Sequence, residues 1–196
     1  MQFDLFDEFV PTPKPYVPGL IYVENYIDSE QKLLEAINKE EWDNSMKRRV
    51  QHYGYKYDYK ARAVNPSMYL GPLPEWSQGV ANKLVSDQYF PSAPDQLIIN
   101  EYLPGQGISN HVDCQPCFSE TIVSISLGSA CVMNLTKIDT RQVIELYLQP
   151  RSLLLLSGDS RYKWFHGITG RLSDQINGKK IQREKRVSLT FRKVII

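Results

Sequence analysis

The C-terminal half of the chain is a series of short apolar runs separated by turn-forming residues. Seven such runs follow one another: "QLIINEYL", "TIVSISLG", "CVMNL", "QVIELYL", "RSLLLLS", "WFHGIT" and "RVSLTFRKVII". Runs of this length, rich in β-branched and aromatic residues, are typical of strands joined by short turns. Several such strands in succession favour an antiparallel sandwich or barrel. We therefore predict a mainly β core over about 95–196.

The first half of the chain has a different pattern. Residues 1–20, "MQFDLFDEFVPTPKPYVPGL", are rich in proline and predict an extended arm. Residues from about 21 to 94 contain two helix patterns, one with Leu33 and Ile37 on one face and one that starts near Pro74. This α/β N-terminal part would precede the β core. With 196 residues and 42% hydrophobic content, the chain is predicted to form a single domain over 1–196.

Composition excludes several function classes. Lys and Arg number 23 and Asp and Glu number 22, so no global excess of charge marks a protein that wraps nucleic acid. No apolar run reaches the length of a membrane span, and no membrane partner is expected. The three cysteines follow no signal peptide and favour a reducing compartment over a disulfide framework. These features predict a monomer in the cytoplasm.

The segment "NHVDC" contains a candidate metal site. In an extended backbone, His111 and Asp113 point to the same side, so both side chains can reach one ion. A solvated loop pair is the alternative. His166, inside the aromatic run "KWFHGIT", could be the third ligand or a hydrogen-bonded core histidine. Two histidines and one carboxylate form the facial triad of non-haem Fe(II) oxygenases.

The last apolar run places two arginines on one face of a strand. Arg186 and Arg192 are six residues apart in "RVSLTFR", whereas Val187, Leu189 and Phe191 point the other way. Guanidinium groups on the inner face of a small barrel are costly unless anions neutralise them. A dicarboxylate co-substrate would provide those anions. A solvent-facing edge strand is the alternative.

The combined motifs resemble a known family, the AlkB-type Fe(II)- and 2-oxoglutarate-dependent dioxygenases. The similarity rests on "NEYLPGQGISNHVD", "GDSRYKWFHGI" and "RVSLTFR". Within the family, "RRVQHYGYKYDY" and "IVSISLGSACVMNL" look most like the dioxygenase domains of animal tRNA wobble-uridine hydroxylases, and the resemblance covers nearly the whole chain. It implies a double-stranded β-helix, a relative of the jelly roll, with an N-terminal nucleotide-recognition lid.

The resemblance also implies ligands and roles. His111, Asp113 and His166 would be the catalytic residues and would bind Fe(II), while 2-oxoglutarate and O₂ would take the open coordination positions. For the co-substrate, the implied pairs are Arg186 with Tyr102 at the distal carboxylate and Arg192 with Asn100 at the end near the metal.

The implied reaction is the oxidative decarboxylation of 2-oxoglutarate coupled to hydroxylation of a C–H bond. On an N-alkyl group of a DNA or RNA base, the product would collapse to an aldehyde and the dealkylated base. On a carbon-attached group of a modified tRNA base, the alcohol would persist. Many dealkylating members carry an acidic residue two positions after the metal aspartate, and Gln115 stands there in this chain. That departure leaves room for hydroxylation.

The segment "RRVQHYGYKYDYK" mixes cations, which suit phosphates, with aromatic rings, which suit base stacking. An enzyme that acts on a base must receive it flipped out or single-stranded. Packing of the tyrosines on the sheet is the alternative. The predicted substrate contacts are Arg48, Arg49, His52, Tyr53, Tyr55 and, in "GDSRYKW", Arg161.

Two other function classes are weaker. A 2-oxoglutarate hydroxylase of protein or small molecules usually has its co-substrate cation about ten residues after the distal histidine, where this chain has Ile176. A catalytically silent binding module is disfavoured by the intact triad and the two arginines. Cys114 and Cys117 could hold a structural zinc only with further ligands, for which the sequence offers His52 and Cys131.

Overall fold

The computed structural model describes residues 16–196, so most of the predicted N-terminal arm lies outside the described residues. The described part forms three helices, α1 (Gln31–Lys39), α2 (Glu75–Ser86) and α3 (Gly158–Tyr162). Its strands are β1 (Leu20–Val23), β2 (Val50–Tyr53), β3 (Gln96–Tyr102), β4 (Ile108–His111), β5 (Phe118–Gly128), β6 (Cys131–Lys137), β7 (Val143–Leu148), β8 (Leu153–Leu156), β9 (Trp164–Ile168), β10 (Ser173–Ile176), β11 (Lys179–Gln182) and β12 (Arg186–Val194).

The strands form two main antiparallel sheets. The larger sheet has the order β1-β8-β5-β12-β3-β2, and the smaller has the order β4-β9-β6-β7. A separate hairpin pairs β10 with β11. The mainly β fold predicted from the sequence is confirmed, and the two edge strands of the larger sheet, β1 and β2, come from the N-terminal part.

The larger sheet has one apolar face and one polar face along β12. Val187, Leu189 and Phe191 point to the apolar face and pack with the buried faces of α1 and α2. Arg186 and Arg192 point to the other face, toward the smaller sheet. Because side chains alternate along a strand, β12 belongs both to the core under the helices and to the cavity between the sheets.

All seven predicted strands of the C-terminal half are present. The sequence analysis missed β4 and the β10–β11 hairpin, because their sequences "ISNH", "SDQI" and "KKIQ" are short and polar. Their pairing depends on neighbouring strands and not on a hydrophobic alternation of their own. Within residues 16–196, no helix is both long and apolar enough to cross a membrane.

Candidate active site

The two candidate histidine ligands lie on adjacent strands. His111 is the last residue of β4, and it is the cross-strand partner of His166 in β9. Their ring centroids are 4.3 Å apart. Asp113 follows β4 by two residues, and one ligand atom from each of the three side chains lies within 4.8 Å of the others. The structure therefore brings the three predicted ligands together.

Hydrogen bonds and burial prepare these groups for a cation. The carbonyl oxygen of Ser109 lies 2.8 Å from Nδ1 of His111, so Nδ1 donates to it and Nε2 is the ring nitrogen left to face a cation. Burial lowers the pKa of His166 to about 3, so this ring is neutral at physiological pH. Burial alone would raise the pKa of Asp113, but the Arg192 guanidinium and the two histidines outweigh it, and the net shift is downward. Two imidazoles and one carboxylate suit Fe(II).

Arg192 sits at the metal end of the cavity. Its Nη2 donates to Oδ1 of Asp113 at 3.1 Å, and its Nη1 donates to Oε1 of Gln96 at 3.2 Å. Both members of the Arg192–Asp113 ion pair are buried. This guanidinium therefore holds the carboxylate of Asp113 in place.

The cavity between the sheets has a volume of about 790 Å³ and contains the triad together with the predicted co-substrate residues Asn100, Tyr102, Arg186 and Arg192. Asn100 and Tyr102 lie on β3, directly opposite Ser188 and Arg186 of β12. The ladder register therefore sets which groups from the two strands meet inside the cavity.

Of the two buried arginines that line this cavity, Arg186 has the fewer partners. It is 4% exposed, and its Nη2 donates to Oγ of Ser126 at 2.8 Å. Its Nε is buried without an acceptor, and Arg186 forms no ion pair with any residue in the described part of the chain. A buried guanidinium with this little compensation fits the carboxylate of a bound dianion.

The mouth of the cavity contains one of the six predicted substrate residues and several residues that were not predicted. Arg48 lines the cavity as predicted. The additional residues are Met46, Lys47, Tyr57, Tyr59 and Arg62. Tyr57 and Tyr59 make an edge-to-face contact with ring centroids 5.1 Å apart, and Tyr59 is 40% exposed.

Two of the predicted aromatic contacts lie outside the cavity lining. Tyr53 packs edge-on against Trp76 beside the core under the helices, and Tyr55 packs against Tyr69, so neither ring lines the cavity. Tyr53 is directly opposite Leu97 of β3, which faces the core under the helices. Gly54, with a φ of +75°, then ends strand β2. A Cβ there would lie 1.7 Å from the carbonyl oxygen of Asp95, so only glycine fits. Beyond this break, even spacing no longer puts the tyrosines on one face.

Other groups of the protein contact the three remaining predicted substrate residues, Arg49, His52 and Arg161. Arg49 forms a bidentate pair with Glu101 at 2.7 and 2.8 Å, so its charge is compensated within the protein. His52 lies outside the cavity lining, with Nε2 3.3 Å from the hydroxyl of Tyr59, which it supports.

Arg161, a predicted phosphate contact, is 2% exposed and lies outside the cavity lining. It lies inside the protein and donates to the carbonyl oxygens of Asp113 at 3.0 Å and Cys114 at 3.2 Å. Arg161 therefore supports the metal loop from within.

The two cysteines that follow Asp113 form a disulfide, Cys114–Cys117. Both sulfurs lie against the carbonyl oxygen of Arg62, at 3.1 and 3.5 Å, while Cys131 is free and buried. The expectation of reduced cysteines is thus wrong for this pair. Within residues 16–196 the one group of His, Cys, Asp and Glu side chains that could hold a metal is the His111–Asp113–His166 triad, so the zinc alternative has no support.

Comparisons with known proteins agree with this geometry. Residues 22–192 match the profile of the 2OG-Fe(II) oxygenase superfamily. Uncharacterized protein L905 of Acanthamoeba polyphaga mimivirus is 38% identical over 183 residues, which cover 90% of this chain and 85% of that protein. The tRNA (carboxymethyluridine(34)-5-O)-methyltransferase ALKBH8 of Mus musculus is 40% identical over 203 residues, which cover 90% of this chain but only 30% of the mouse protein.

Among solved structures, OsALKBH1 superposes with a TM-score of 0.71 at 17% identity, over 92% of this chain and 100% of that one, so the two share a fold. From the family profile, the relatives and the candidate metal triad, the chain belongs to the 2OG-Fe(II) oxygenase superfamily, as a dioxygenase of AlkB type that uses Fe(II), 2-oxoglutarate and O₂.

Proposed function

We propose that this dioxygenase acts on bases of nucleic acid, removing N-alkyl groups from DNA or RNA by oxidative dealkylation. The observation that carries the proposal is one continuous cavity, which joins the His111–Asp113–His166 triad to a mouth lined by tyrosines and by cations with no acidic partner in the described part of the chain. A stacked base and its phosphates require these two kinds of side chain.

Each group of residues has a separate task. His111, Asp113 and His166 hold Fe(II), which with 2-oxoglutarate and O₂ supplies the oxidising power for hydroxylating a C–H bond. Arg186 and Tyr102 bind the distal carboxylate of the co-substrate. Arg192 and Asn100 fix its other end close to Asp113. The co-substrate is thereby held in one orientation beside the metal.

The N-terminal part supplies the substrate contacts and acts as the lid. Lys47 and Arg62 are exposed at the cavity mouth, while Arg48 reaches further in, and all three suit phosphate oxygens. Tyr57 and Tyr59 replace Tyr53 and Tyr55 as the rings on which a flipped base stacks. The lid corresponds to residues 21–94 of one domain over 1–196, followed by the β-helix core at 95–196.

Hydroxylation of a modified tRNA base is the second candidate. The position that is acidic in many dealkylating members is Gln115, an exposed residue outside the cavity lining. In addition, the name of the 40% identical mouse relative refers to carboxymethyluridine in tRNA. A stable alcohol on a tRNA nucleoside would be the product.

The test is mass spectrometry of nucleosides from a methylated oligonucleotide panel and a total tRNA pool, each incubated with the iron-loaded enzyme, 2-oxoglutarate and O₂. Dealkylation gives an unmodified base and one formaldehyde per methyl group, whereas hydroxylation gives a nucleoside heavier by one oxygen atom. His166→Ala is the inactive control, because it removes one metal ligand. Succinate formation that no nucleic acid stimulates, but a protein or metabolite does, would refute the nucleic-acid assignment.

The substrate partner is proposed to be single-stranded or flipped-base nucleic acid, bound by a monomer in the cytoplasm. Light scattering of the purified protein with and without a bound oligonucleotide tests the monomeric state. A fluorescently tagged full-length protein tests the location.

A further inference from the structure

Arg48 connects the N-terminal part of the chain to the co-substrate side of the cavity. Its Nε donates to Oδ1 of Asn100 at 2.8 Å. Its Cζ lies 6.0 Å from the centre of the Tyr102 ring, and Cζ of Arg186 lies 5.5 Å from the same ring. Two guanidinium groups, one from the segment before β2 and one from β12, therefore flank a single tyrosine of β3.

The neighbouring Arg49 shows that this placement is specific. The amide of Glu101 donates to the carbonyl of Arg49, so the segment before β2 continues along β3 in an extended form. Adjacent residues of an extended chain point to opposite sides. Arg49 accordingly pairs with Glu101, away from the cavity, while Arg48 points into the cavity and has no ion-pair partner among residues 16–196.

The contact with Arg48 decides how the Asn100 amide is turned. A guanidinium only donates hydrogen bonds, so it holds the oxygen end of the amide. The nitrogen end, Nδ2, is then left to donate, and it meets no acceptor in the described part of the chain. Carboxylates only accept hydrogen bonds, so an amide turned this way presents the correct end to a bound carboxylate. The reversed amide would present an oxygen and repel it.

We propose that Arg48 is a positioning residue for 2-oxoglutarate, which acts by fixing the Asn100 amide with its nitrogen end toward the co-substrate. This inference rests on the proposed function, because it assumes that Asn100 contacts 2-oxoglutarate. It makes co-substrate affinity depend on the segment before β2, which belongs to the proposed lid.

The same residue also faces the substrate side. Arg48 lines a polar groove of about 560 Å³ that adjoins the cavity and contains Lys47, Asn110 and Asn134. Nη groups not engaged by Asn100 can bind an anion in this groove. Displacement of the segment that carries Arg48 would release the Asn100 amide and weaken co-substrate binding.

The experiment is anaerobic titration of 2-oxoglutarate into the Fe(II)-loaded full-length protein, followed by the visible charge-transfer absorption of the iron–co-substrate complex. Arg48→Met is expected to raise the Kd by about ten-fold or more, the range for losing a charged hydrogen bond. Arg48→Lys, which can still donate, should recover part of this loss. Lys60→Met removes an equal charge from an exposed position outside the cavity and should leave the Kd unchanged.

A double-mutant cycle separates positioning from simple electrostatic attraction. If Arg48 acts through Asn100, then Arg48→Met should change the Kd by less than about two-fold in an Asn100→Ala background. In turnover assays, Arg48→Met should raise the KM for 2-oxoglutarate, which the loss of a phosphate contact alone would not do. Metal affinity and thermal unfolding, measured on the same samples, report whether the variants fold.

The outcomes are distinguishable. If Asn100→Ala weakens 2-oxoglutarate binding and Arg48→Met does not, the inference is wrong and the proposed co-substrate site stands. Equal effects of Arg48→Met in both backgrounds would also overturn positioning, because they indicate long-range attraction. If Asn100→Ala itself leaves the Kd unchanged, the assignment of Asn100 in the proposed function fails, and the inference fails with it.

Discussion

Replacing Arg186 by methionine is expected to make the metal-free protein more stable while it weakens 2-oxoglutarate binding. Arg186 is 4% exposed, has no ion-pair partner among residues 16–196 and leaves its buried Nε without an acceptor. Two contacts compensate the buried charge of Arg186. One is its hydrogen bond to Ser126, and the other is the face of the Tyr102 ring, whose centre lies 5.5 Å from Cζ of Arg186. Stability and co-substrate affinity should therefore change in opposite directions.

The magnitude follows from these contacts. Burying a charge costs several kcal/mol even after relaxation. The Ser126 hydrogen bond returns about 1.5 to 3 kcal/mol and the contact with Tyr102 about 0.5 to 2 kcal/mol. Methionine of similar length removes the charge and keeps most of the packing, so Arg186→Met should raise the free energy of unfolding by about 1 to 3 kcal/mol. Loss of the carboxylate contact should cost about 2 to 5 kcal/mol of co-substrate binding.

Arg192→Met is the matched control, since it removes an arginine of equal burial from the same face of the same strand. Arg192 is paired with Asp113, and its removal leaves a buried carboxylate without its cation. This variant should lose about 3 to 5 kcal/mol of stability. The two substitutions should therefore change the free energy of unfolding in opposite directions, although both arginines occupy the same face of one strand in the sequence pattern.

Urea unfolding of the metal-free wild type and the two variants measures these changes. A second series compares the Fe(II)-loaded proteins with and without 2-oxoglutarate under anaerobic conditions. The co-substrate should stabilise the Fe(II)-loaded wild type by about 2.7 kcal/mol at a concentration one hundred times the Kd, and Arg186→Met far less. If metal-free Arg186→Met is less stable than the wild type, groups other than Ser126 and Tyr102 compensate the charge of Arg186. If it keeps the full effect of 2-oxoglutarate, the carboxylate site lies elsewhere.

Three further predictions concern the mouth of the cavity, the metal loop and pH. Tyr59→Ala should weaken oligonucleotide binding by about 1 to 3 kcal/mol without altering its salt dependence. Tyr53→Ala should instead lower the free energy of unfolding by about 2 to 4 kcal/mol. If fluorescence titrations show equal losses of oligonucleotide binding for the two variants, this division is wrong. Arg161→Met should raise the Kd for Mn(II) or Fe(II) by about ten-fold, because it frees the carbonyl of Asp113, and an unchanged metal titration would refute that role. Burial lowers the pKa of His52 to about 4 in the folded state, so its contribution to stability is complete above about pH 6.5 and is lost as the pH falls toward 4. This loss is at most about 3 kcal/mol, and His52→Gln should show a correspondingly flatter urea-unfolding profile over that range.

Local periodicity made the strands and the faces of β12 predictable. The apolar runs of the C-terminal half alternate or are continuously apolar over lengths typical of strands, and each forms a strand in the structure. The separation of Arg186 and Arg192 by an even number of residues placed both on the face opposite to Val187, and the structure agrees. These properties depend only on the chain near each residue.

The candidate ligands were predictable as residue types, but their arrangement was not. His111 and His166 are 55 positions apart in the sequence, and they become neighbours because β4 pairs with β9 in one particular register. A shift of that register by one residue would turn one ring away from the other. The sequence motif for β4 itself is too short and polar to indicate this pairing.

For the tyrosines and the arginines, the tertiary structure alone decided the outcome. The sequence showed evenly spaced tyrosines around Gly54, but Tyr53 packs beside the core because it is opposite Leu97 of β3, whereas Tyr59, beyond the positive φ at Gly54, lines the cavity. The sequence also showed several arginines, all equally suited to phosphate. In the structure, Arg161 is buried behind the metal loop, and the charge of Arg49 is neutralised by Glu101. Residue type and spacing determine what a side chain can bind. Which partner it meets depends on contacts between segments far apart in the sequence, and those exist only once the strands have paired.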